Sequence, residues 1–210
     1  ARTLAQHYPT DLIVDSRRGS LSLRLARLAP RLLRRLRRAH DLIVVGFYGH
    51  PLVLLARRFS RAPILFDPFV STYDTLAGDR GRVAEGSLAA RALRALDGRA
   101  LGQATLNLSD TQAHAAYYAA TFGVPRGKLA TLYLGCDEAH FFPRPAARGD
   151  RFVVFTYSTY LPLHGMTTIV EAAQRCLGYP IEFRLVGSSG PTLANARARA
   201  QALGLTNVAF

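Results

Sequence analysis

The chain has only two cysteines, Cys136 and Cys176, among its 210 residues. Neither stands in a CxxC pair or at metal-ligand spacing, which excludes a disulfide framework, and two lone thiols fit a reducing cytosol. Six histidines are scattered without an HxxxH pair or a nearby cysteine, so no metal site can be argued. Long hydrophobic runs are also missing. The longest, Leu42 to Ala56, is broken by Gly46, Gly49, His50 and Pro51, which argues against a membrane-spanning helix. No signal-peptide pattern follows Ala1. Walker A spacing with its Lys and the GxGxxG fingerprint are both absent, which removes the commonest nucleotide-binding loops.

Acid is scarce: 14 Asp+Glu stand against 27 Lys+Arg, a formal charge of +13. The imbalance is local. Residues 1–61 carry 13 basic and 3 acidic groups, and residues 16–40 hold nine arginines and no acid. Lys128 is the only lysine. Apolar residues make up 49%, enough to build a core and to exclude disorder.

Short apolar runs alternate with helix-period segments. Strands are expected at Asp11–Val14, Asp41–Phe47, Pro63–Phe66, Ala104–Leu108 and Leu129–Leu134. Helices are expected at Leu21–Ala39, Pro51–Phe59, Gly81–Leu101 and Thr111–Phe122, with Gly123-Val124-Pro125 as a stop signal. Gly135 to Asp150 reads as an interdomain linker. The alternation then restarts: strand Phe152–Tyr157, helix Thr167–Leu177, strand Ile181–Val186, helix Thr192–Leu203 and a last run Asn207–Phe210. Largely apolar strands joined by helical crossovers predict α/β sheets of parallel strands covered on both faces. The chain lacks an obvious first strand-and-glycine loop and stops within the second α/β unit, so it reads as a piece of something larger.

From Leu21 to Ala39, Leu25, Leu28, Leu32, Leu33 and Leu36 recur at 3-4-7 spacing, while Arg24, Arg27, Arg31, Arg34, Arg35 and Arg38 fall largely on the other face. Pro30 is expected to kink this segment or open a second helix. Such a helix covers a sheet with its arginines solvated, or lies on an anionic membrane, or attracts nucleic acid. Base-stacking aromatics are not interleaved with the arginines, which argues against nucleic acid.

Ligands of open α/β sheets bind beyond the carboxyl ends of the strands, so the post-strand loops are the candidate site. Gly46-Phe47-Tyr48-Gly49-His50-Pro51 offers a histidine for a sugar or phosphate. Asp67 to Thr75 gathers aromatics, hydroxyls and carboxylates (Asp67, Ser71, Tyr73, Asp74), which suits a carbohydrate, since sugars present both C–H patches and hydroxyls. Ser109-Asp110-Thr111 is accounted for by N-capping. Tyr157 to Met166, with Ser158, Thr159, His164 and Gly165, opens a helix whose N–H groups can hold a phosphate. Val186 to Pro191 carries Gly187, Ser188 and Gly190, which allow close approach of a ligand. Plain turn and capping chemistry remains the alternative for each loop.

The ordered set of linker, strand, Pro162-Leu163-His164-Gly165, helix, strand, Gly187-Ser188-Ser189-Gly190, helix and Asn207-Val208 resembles the family-four glycosyltransferases of the GT-B fold. Gly135, Asp137, Phe141 and Pro143 match that family's "NGVD…F.P" signature, with Leu134 in place of its Asn. Asp67 to Arg80 resembles a subgroup with a "fD.fvS.YDT…DR" block, Asp67 standing where many members have a His. The resemblance implies two Rossmann-like domains: residues 1–140 on the acceptor side, without their first strand, and residues 141–210 as an incomplete donor side. It implies an enzyme that moves a sugar from a nucleotide-diphosphate sugar to an acceptor, with retention and without a metal or other cofactor. The lone thiols and the arginine-rich segment add the expectation of a cytoplasmic protein, peripheral at the inner membrane face, with a carbohydrate or lipid-linked acceptor. Donor contacts then fall on Ser158, Thr159, His164, Gly165, Gly187, Ser188 and Gly190, and acceptor contacts on Tyr48, Gly49, His50, Asp67, Ser71, Tyr73 and Asp74. Residues 17–38 face an anionic membrane and not nucleic acid.

Thr159 and His164 replace the family's diphosphate-neutralising Arg and Lys. The family's acidic E-x7-E region is expected beyond Phe210, so the 210 residues alone are expected to show no turnover. A nucleotide-sugar epimerase and a catalytically silent sugar- or nucleotide-binding relative remain as alternatives.

Overall fold

The computed structural model describes residues 2–15, 17, 19–145, 149–187, 190 and 192–210. The chain divides into two compact units, Ala1–Gly135 and Cys136–Phe210.

In the first unit, α1 (Arg2–His7) and α2 (Leu21–Leu36) precede β1 (Ile43–Val45). Then come α3 (His50–Phe59), β2 (Ile64–Phe66), α4 (Leu88–Gln103), β3 (Leu106–Ser109), α5 (Gln112–Phe122) and β4 (Leu129–Thr131). The strands form one parallel sheet in the order β1-β2-β3-β4. Ile43 pairs with Ile64, Leu65 with Leu106, and Asn107 with Leu129. Each right-handed crossover steps one strand in the same direction, so the connecting helices gather on one face. There Leu36 of α2, Val53 and Ala56 of α3, Ala100 and Leu101 of α4 and Tyr118 of α5 pack on Val45, Ile64 and Phe66 in one core. Ser20, Ser87 and Thr111 cap α2, α4 and α5 by accepting N–H bonds from Leu23, Ala90 and His114. Gly123, left-handed at φ 67°, ends α5 as its stop signal predicts.

The second unit repeats the scheme with β5 (Phe152–Ser158), α6 (Met166–Arg175), β6 (Ile181–Gly187), α7 (Leu193–Ala202) and β7 (Val208–Ala209), paired in parallel in the order β5-β6-β7. Its core is Tyr160, Met166, Val170, Leu185, Ala196 and Ala200. Among the described residues, no helix is long and apolar enough to cross a membrane.

Four sequence expectations are corrected. Asp11–Val14 is not a strand: the segment is irregular, with Leu12 and Val14 exposed. An extended run becomes a strand only when a neighbour completes its ladder; here the Asp15 carbonyl accepts from the Arg24 guanidinium instead. Pro30 opens no second helix, since α2 runs through it from Leu21 to Leu36. The helix expected from Gly81 starts at Leu88, and a π-helix at Asp74–Asp79 lies before it. Both-face coverage fails within each unit: Val44 in the first sheet and Phe155, Tyr157 and Val186 in the second are exposed.

Candidate functional site

The post-strand loops are built around two buried hubs, neither of them among the residues singled out from the sequence. The first is Asp97, on the buried stripe of α4 with Ala90, Ala100 and Leu101 and itself fully buried. Its carboxylate accepts from Ser71 Oγ at 2.7 Å, from the Tyr73 N–H at 2.9 Å and from Thr72 Oγ1. A buried carboxylate needs donors of this kind to offset its desolvation cost. The effect is to clamp the loop after β2 against α4.

Ser71 is thereby fully engaged, since its Oγ also accepts from the Asp74 N–H at 3.0 Å. His50, the first residue of α3, is fully buried and stacks edge-on against Phe66 at 5.0 Å between ring centroids. Its Nε2 lies 3.5 Å from Asp97 Oδ1. Burial lowers the His50 pKa, and the Asp97 charge opposes that shift only in part. Gly49 is buried as well, and a methyl group there would overlap Val45 and the Gly46 carbonyl. Ser71 is thus held by the hub, Gly49 is packed against β1, and the buried His50 ring leaves both of its nitrogens without a hydrogen-bond partner.

The exposed features of this end of the sheet are different ones. Asp67 is exposed, and its N–H donates to the Val45 carbonyl, tying the two loops together. Phe47 and Phe69, 61% and 43% exposed, meet at 5.4 Å between centroids, and Phe47 also packs edge-on against Tyr48 at 4.6 Å. Asp74 accepts from Tyr117 Oη of α5 at 2.5 Å. Burial and that carboxylate push the Tyr117 phenol up to about 12. Asp74 also starts the π-helix, a backbone form common at functional sites.

The second hub is Tyr160, buried two residues after the end of β5. Its Oη donates to the Leu185 carbonyl at 2.8 Å, and its own carbonyl accepts from Thr192 Oγ1 at 2.8 Å and the Thr192 N–H at 3.2 Å. Its N–H donates to Ser158 Oγ at 2.8 Å. Ser158 Oγ in turn lies 2.6 Å from His164 Nδ1, which also accepts the Leu161 N–H at 3.2 Å. An amide N–H can only donate, so Nδ1 is the acceptor nitrogen and the ring proton sits on Nε2. His164 thus offers an N–H donor where a lysine would offer a charge. Thr159 is exposed beside it.

Gly165, left-handed at φ 61°, ends the short 3-10 turn Pro162–His164 and starts α6, whose first turn carries no acid and no side-chain cap. Methyl groups on Gly187 and Gly190 would overlap the Ser158 and Thr159 carbonyls. Those two glycines are required by the chain's own loop packing. Ser188 lies outside the described residues. Ser109-Asp110-Thr111 behaves as expected, with Thr111 capping α5 and Asp110 2.9 Å from His114 Nδ1.

Three residues other than glycine have positive φ among the described residues: Tyr48 at 58°, Phe69 at 65° and Tyr160 at 52°. Such backbone costs on the order of 1–3 kcal/mol each and persists where the surroundings over-determine it, commonly at ligand clamps. All three lie in loops directly after strands, following β1, β2 and β5. Sequence reasoning located the loops but missed Asp97, Tyr160 and the Phe47–Phe69 pair. Only Asp97 left a readable trace, an acid on an otherwise apolar helical stripe.

Parallel sheets with strained, hub-anchored loops at the carboxyl ends of their strands define an open α/β protein whose ligand end is that rim. The chain belongs to the glycosyl transferase 4-like domain family, whose model matches residues 7–135. No curated protein matches it by sequence. Among solved structures it is similar to Anabaena Alr3699/HepE in complex with UDP and glucose, with TM-score 0.66 and 19% identity over 100% of this chain and 57% of that one. It is also similar to the apo form of the lipopolysaccharide outer core galactosyltransferase WaaB (TM-score 0.58, 15% identity, 90% and 49% of the two chains). A third is an α,α-trehalose-phosphate synthase (UDP-forming) from Burkholderia vietnamiensis (0.50, 17%, 89% and 48%). The chain thus spans 57% of the HepE structure. Its fold class is the α/β, GT-B-like one, with Rossmann-like parallel sheets.

Proposed function

We propose that this chain belongs to an enzyme that transfers a sugar from a nucleotide-diphosphate sugar to an acceptor, with retention and without a metal ion. The observation that carries the reading is the placement of all three described left-handed non-glycine residues in post-strand loops of a glycosyl transferase 4-like chain. On the donor side, the uncapped first turn of α6 presents N–H groups to the diphosphate, as helix N-termini do for anions. Thr159 and the His164 Nε2–H add neutral donors in place of a formal cation, so oxyanion stabilisation rests on preorganised hydrogen bonds. Ser158 acts through His164, fixing its tautomer. On the acceptor side, Asp67, Tyr48, Tyr73 and Asp74 line the loops after β1 and β2, with Phe47 and Phe69 as apolar surface for the C–H face of a sugar. The acceptor is a carbohydrate or a lipid-linked one, and residues 17–38 work at an anionic membrane on its cytoplasmic face.

UDP is the first ligand to test, because HepE is described with UDP and glucose. Isothermal titration with UDP and a panel of nucleotide-diphosphate sugars, in EDTA, is expected to give binding that falls at least tenfold in Thr159→Val and His164→Phe variants. Absence of binding to every diphosphate nucleoside, or binding equal in both variants, overturns the donor assignment. Binding is the readout for the 210-residue chain, for which no turnover is expected. The anomeric configuration of product made by a longer form of the enzyme tests retention.

A further inference from the structure

The amphipathic pattern of α2 suggests a helix whose leucines enter a membrane, but the fold has already used that face. Leu32 and Leu36 pack into the core of the first unit with Val45 and Val53. α2 turns Arg31 and Arg34 outward and leaves Arg35 half-buried beside them, three residues at i, i+3 and i+4 on one face, and Arg38 follows just past the helix end at Leu36. These four arginines and Leu12, Ile13 and Val14 line one groove of about 350 Å³. Leu12 and Val14 are 56% and 63% exposed. Arg35 pairs with Asp11 at 3.1 Å, both side chains about 40% exposed. Among the described residues, no carboxylate pairs with Arg31, Arg34 or Arg38. Four guanidinium groups around one groove repel one another, and one carboxylate relieves little of that repulsion.

We infer that this groove seats the phosphate of an anionic lipid in a bilayer surface, with Leu12 and Val14 entering the acyl boundary beside it. Guanidinium forks match phosphate oxygens, and several basic groups in one patch each strengthen attraction to an anionic surface about fivefold. The aliphatic side chains decide between anionic partners. They offer nothing for a base to stack on, and no aromatic residue lines the groove. Inserted beneath lipid headgroups, they leave water for hydrocarbon. The unpaired segment Asp11–Val14 thereby acquires a use that a ladder strand would not have. This inference rests on the membrane reading of residues 17–38 given above, and locates the contact in side chains that reading did not include.

The test is co-sedimentation of the whole chain with vesicles of phosphatidylserine and phosphatidylcholine in a 3:7 ratio, against phosphatidylcholine alone. The wild type is expected to bind only the anionic vesicles. Arg31→Gln/Arg34→Gln/Arg38→Gln is expected to lose on the order of 100-fold in partitioning. Leu12→Ser/Val14→Ser is expected to lose about tenfold while keeping its full salt-dependent binding to duplex DNA. All five side chains are exposed, so circular dichroism melts should match the wild type. A wild type that ignores anionic vesicles overturns the membrane reading altogether. A wild type that binds them, with either variant unchanged, leaves that reading standing and overturns the groove. DNA bound more tightly than anionic vesicles assigns the arginines to nucleic acid and overturns both.

Discussion

Replacing Asp97 with Ala removes the acceptor of three loop donors at once. Ser71 Oγ, Thr72 Oγ1 and the Tyr73 N–H all end on that carboxylate, within a region that is buried or half-buried. The two hydroxyls can rotate toward other acceptors, but the Tyr73 amide is fixed by the backbone. Each buried donor left unpaired costs about 1–3 kcal/mol, and removing one partner of a buried charged network typically costs about 3–5 kcal/mol in total. About 4 kcal/mol is the expected loss, a large part of a typical domain's stability of about 5–15 kcal/mol. Asn keeps the shape and one carbonyl acceptor, so about half that loss is expected. With a urea slope of about 2 kcal/mol/M, the midpoint should fall by about 2 M for Ala and about 1 M for Asn. The chain has no tryptophan, so far-UV circular dichroism is the suitable probe of the transition. Amide exchange at Tyr73 adds a local readout, and should quicken in both variants well below the unfolding transition. An Ala variant whose midpoint stays within about 0.3 M of the wild type would refute the idea that Asp97 clamps the loop. So would an Ala variant no less stable than the Asn one.

His50 and Gly187 supply two further expectations. The folded-state pKa of His50 lies below the ordinary value because burial penalises the cation. Its contribution is therefore fully present above about pH 6.5 and is lost as pH falls toward the depressed folded value, where acid protonates the unfolded chain first. The slope is at most about 1.4 kcal/mol per pH unit, and a pH series of urea melts should show it flatten in His50→Gln. A variant with an unchanged slope between pH 6.5 and 5 would assign that dependence elsewhere. Gly187→Ala places a methyl group on the Ser158 carbonyl and against Tyr160, at the end of the β5–β6 ladder. Overpacking of this kind costs about 3 kcal/mol, whereas Gly204→Ala, strained by its φ of +60° but with open space around it, should cost about 1–2 kcal/mol. Thermal melts that reverse this order would count against the close packing of the two loops.

The elements most legible in the sequence were those whose cause is local. Thr111 and Gly123 bracket α5 because a hydroxyl caps its own helix and a glycine tolerates the left-handed turn, whatever surrounds them. Parallel strands such as Ile64–Phe66 and Ile181–Gly187 were readable as apolar runs between turn signals. Asp11–Val14 has the same local appearance as Ile43–Val45, yet only the second finds a ladder partner, in β2. That difference is a property of the neighbour and leaves no mark in the segment. The same holds for the π-helix at Asp74–Asp79, which follows from the way Asp97 and Tyr117 grip the loop from two other helices.

The site shows the same division more sharply. Spacing placed the candidate loops after the strands, because the carboxyl end of an open sheet is defined by strand direction, and strand direction follows from the crossovers. Among the side chains it singled out in them, Ser71 is engaged by Asp97 and His50 is buried beside that carboxylate. The residues left facing outward, Phe47, Phe69, Asp67 and Thr159, are chemically plainer. In a hub-and-loop arrangement this outcome is to be expected: a buried carboxylate must be saturated by nearby donors, so the best hydrogen-bonding groups of the loop are drawn inward first. In the function proposed above, ligand contact falls to backbone N–H groups, aromatic faces and the one ring nitrogen of His164 that its neighbours leave as a donor. A reading of such a loop from sequence should therefore subtract the donors needed by any acid on a facing apolar stripe before counting what remains for a ligand.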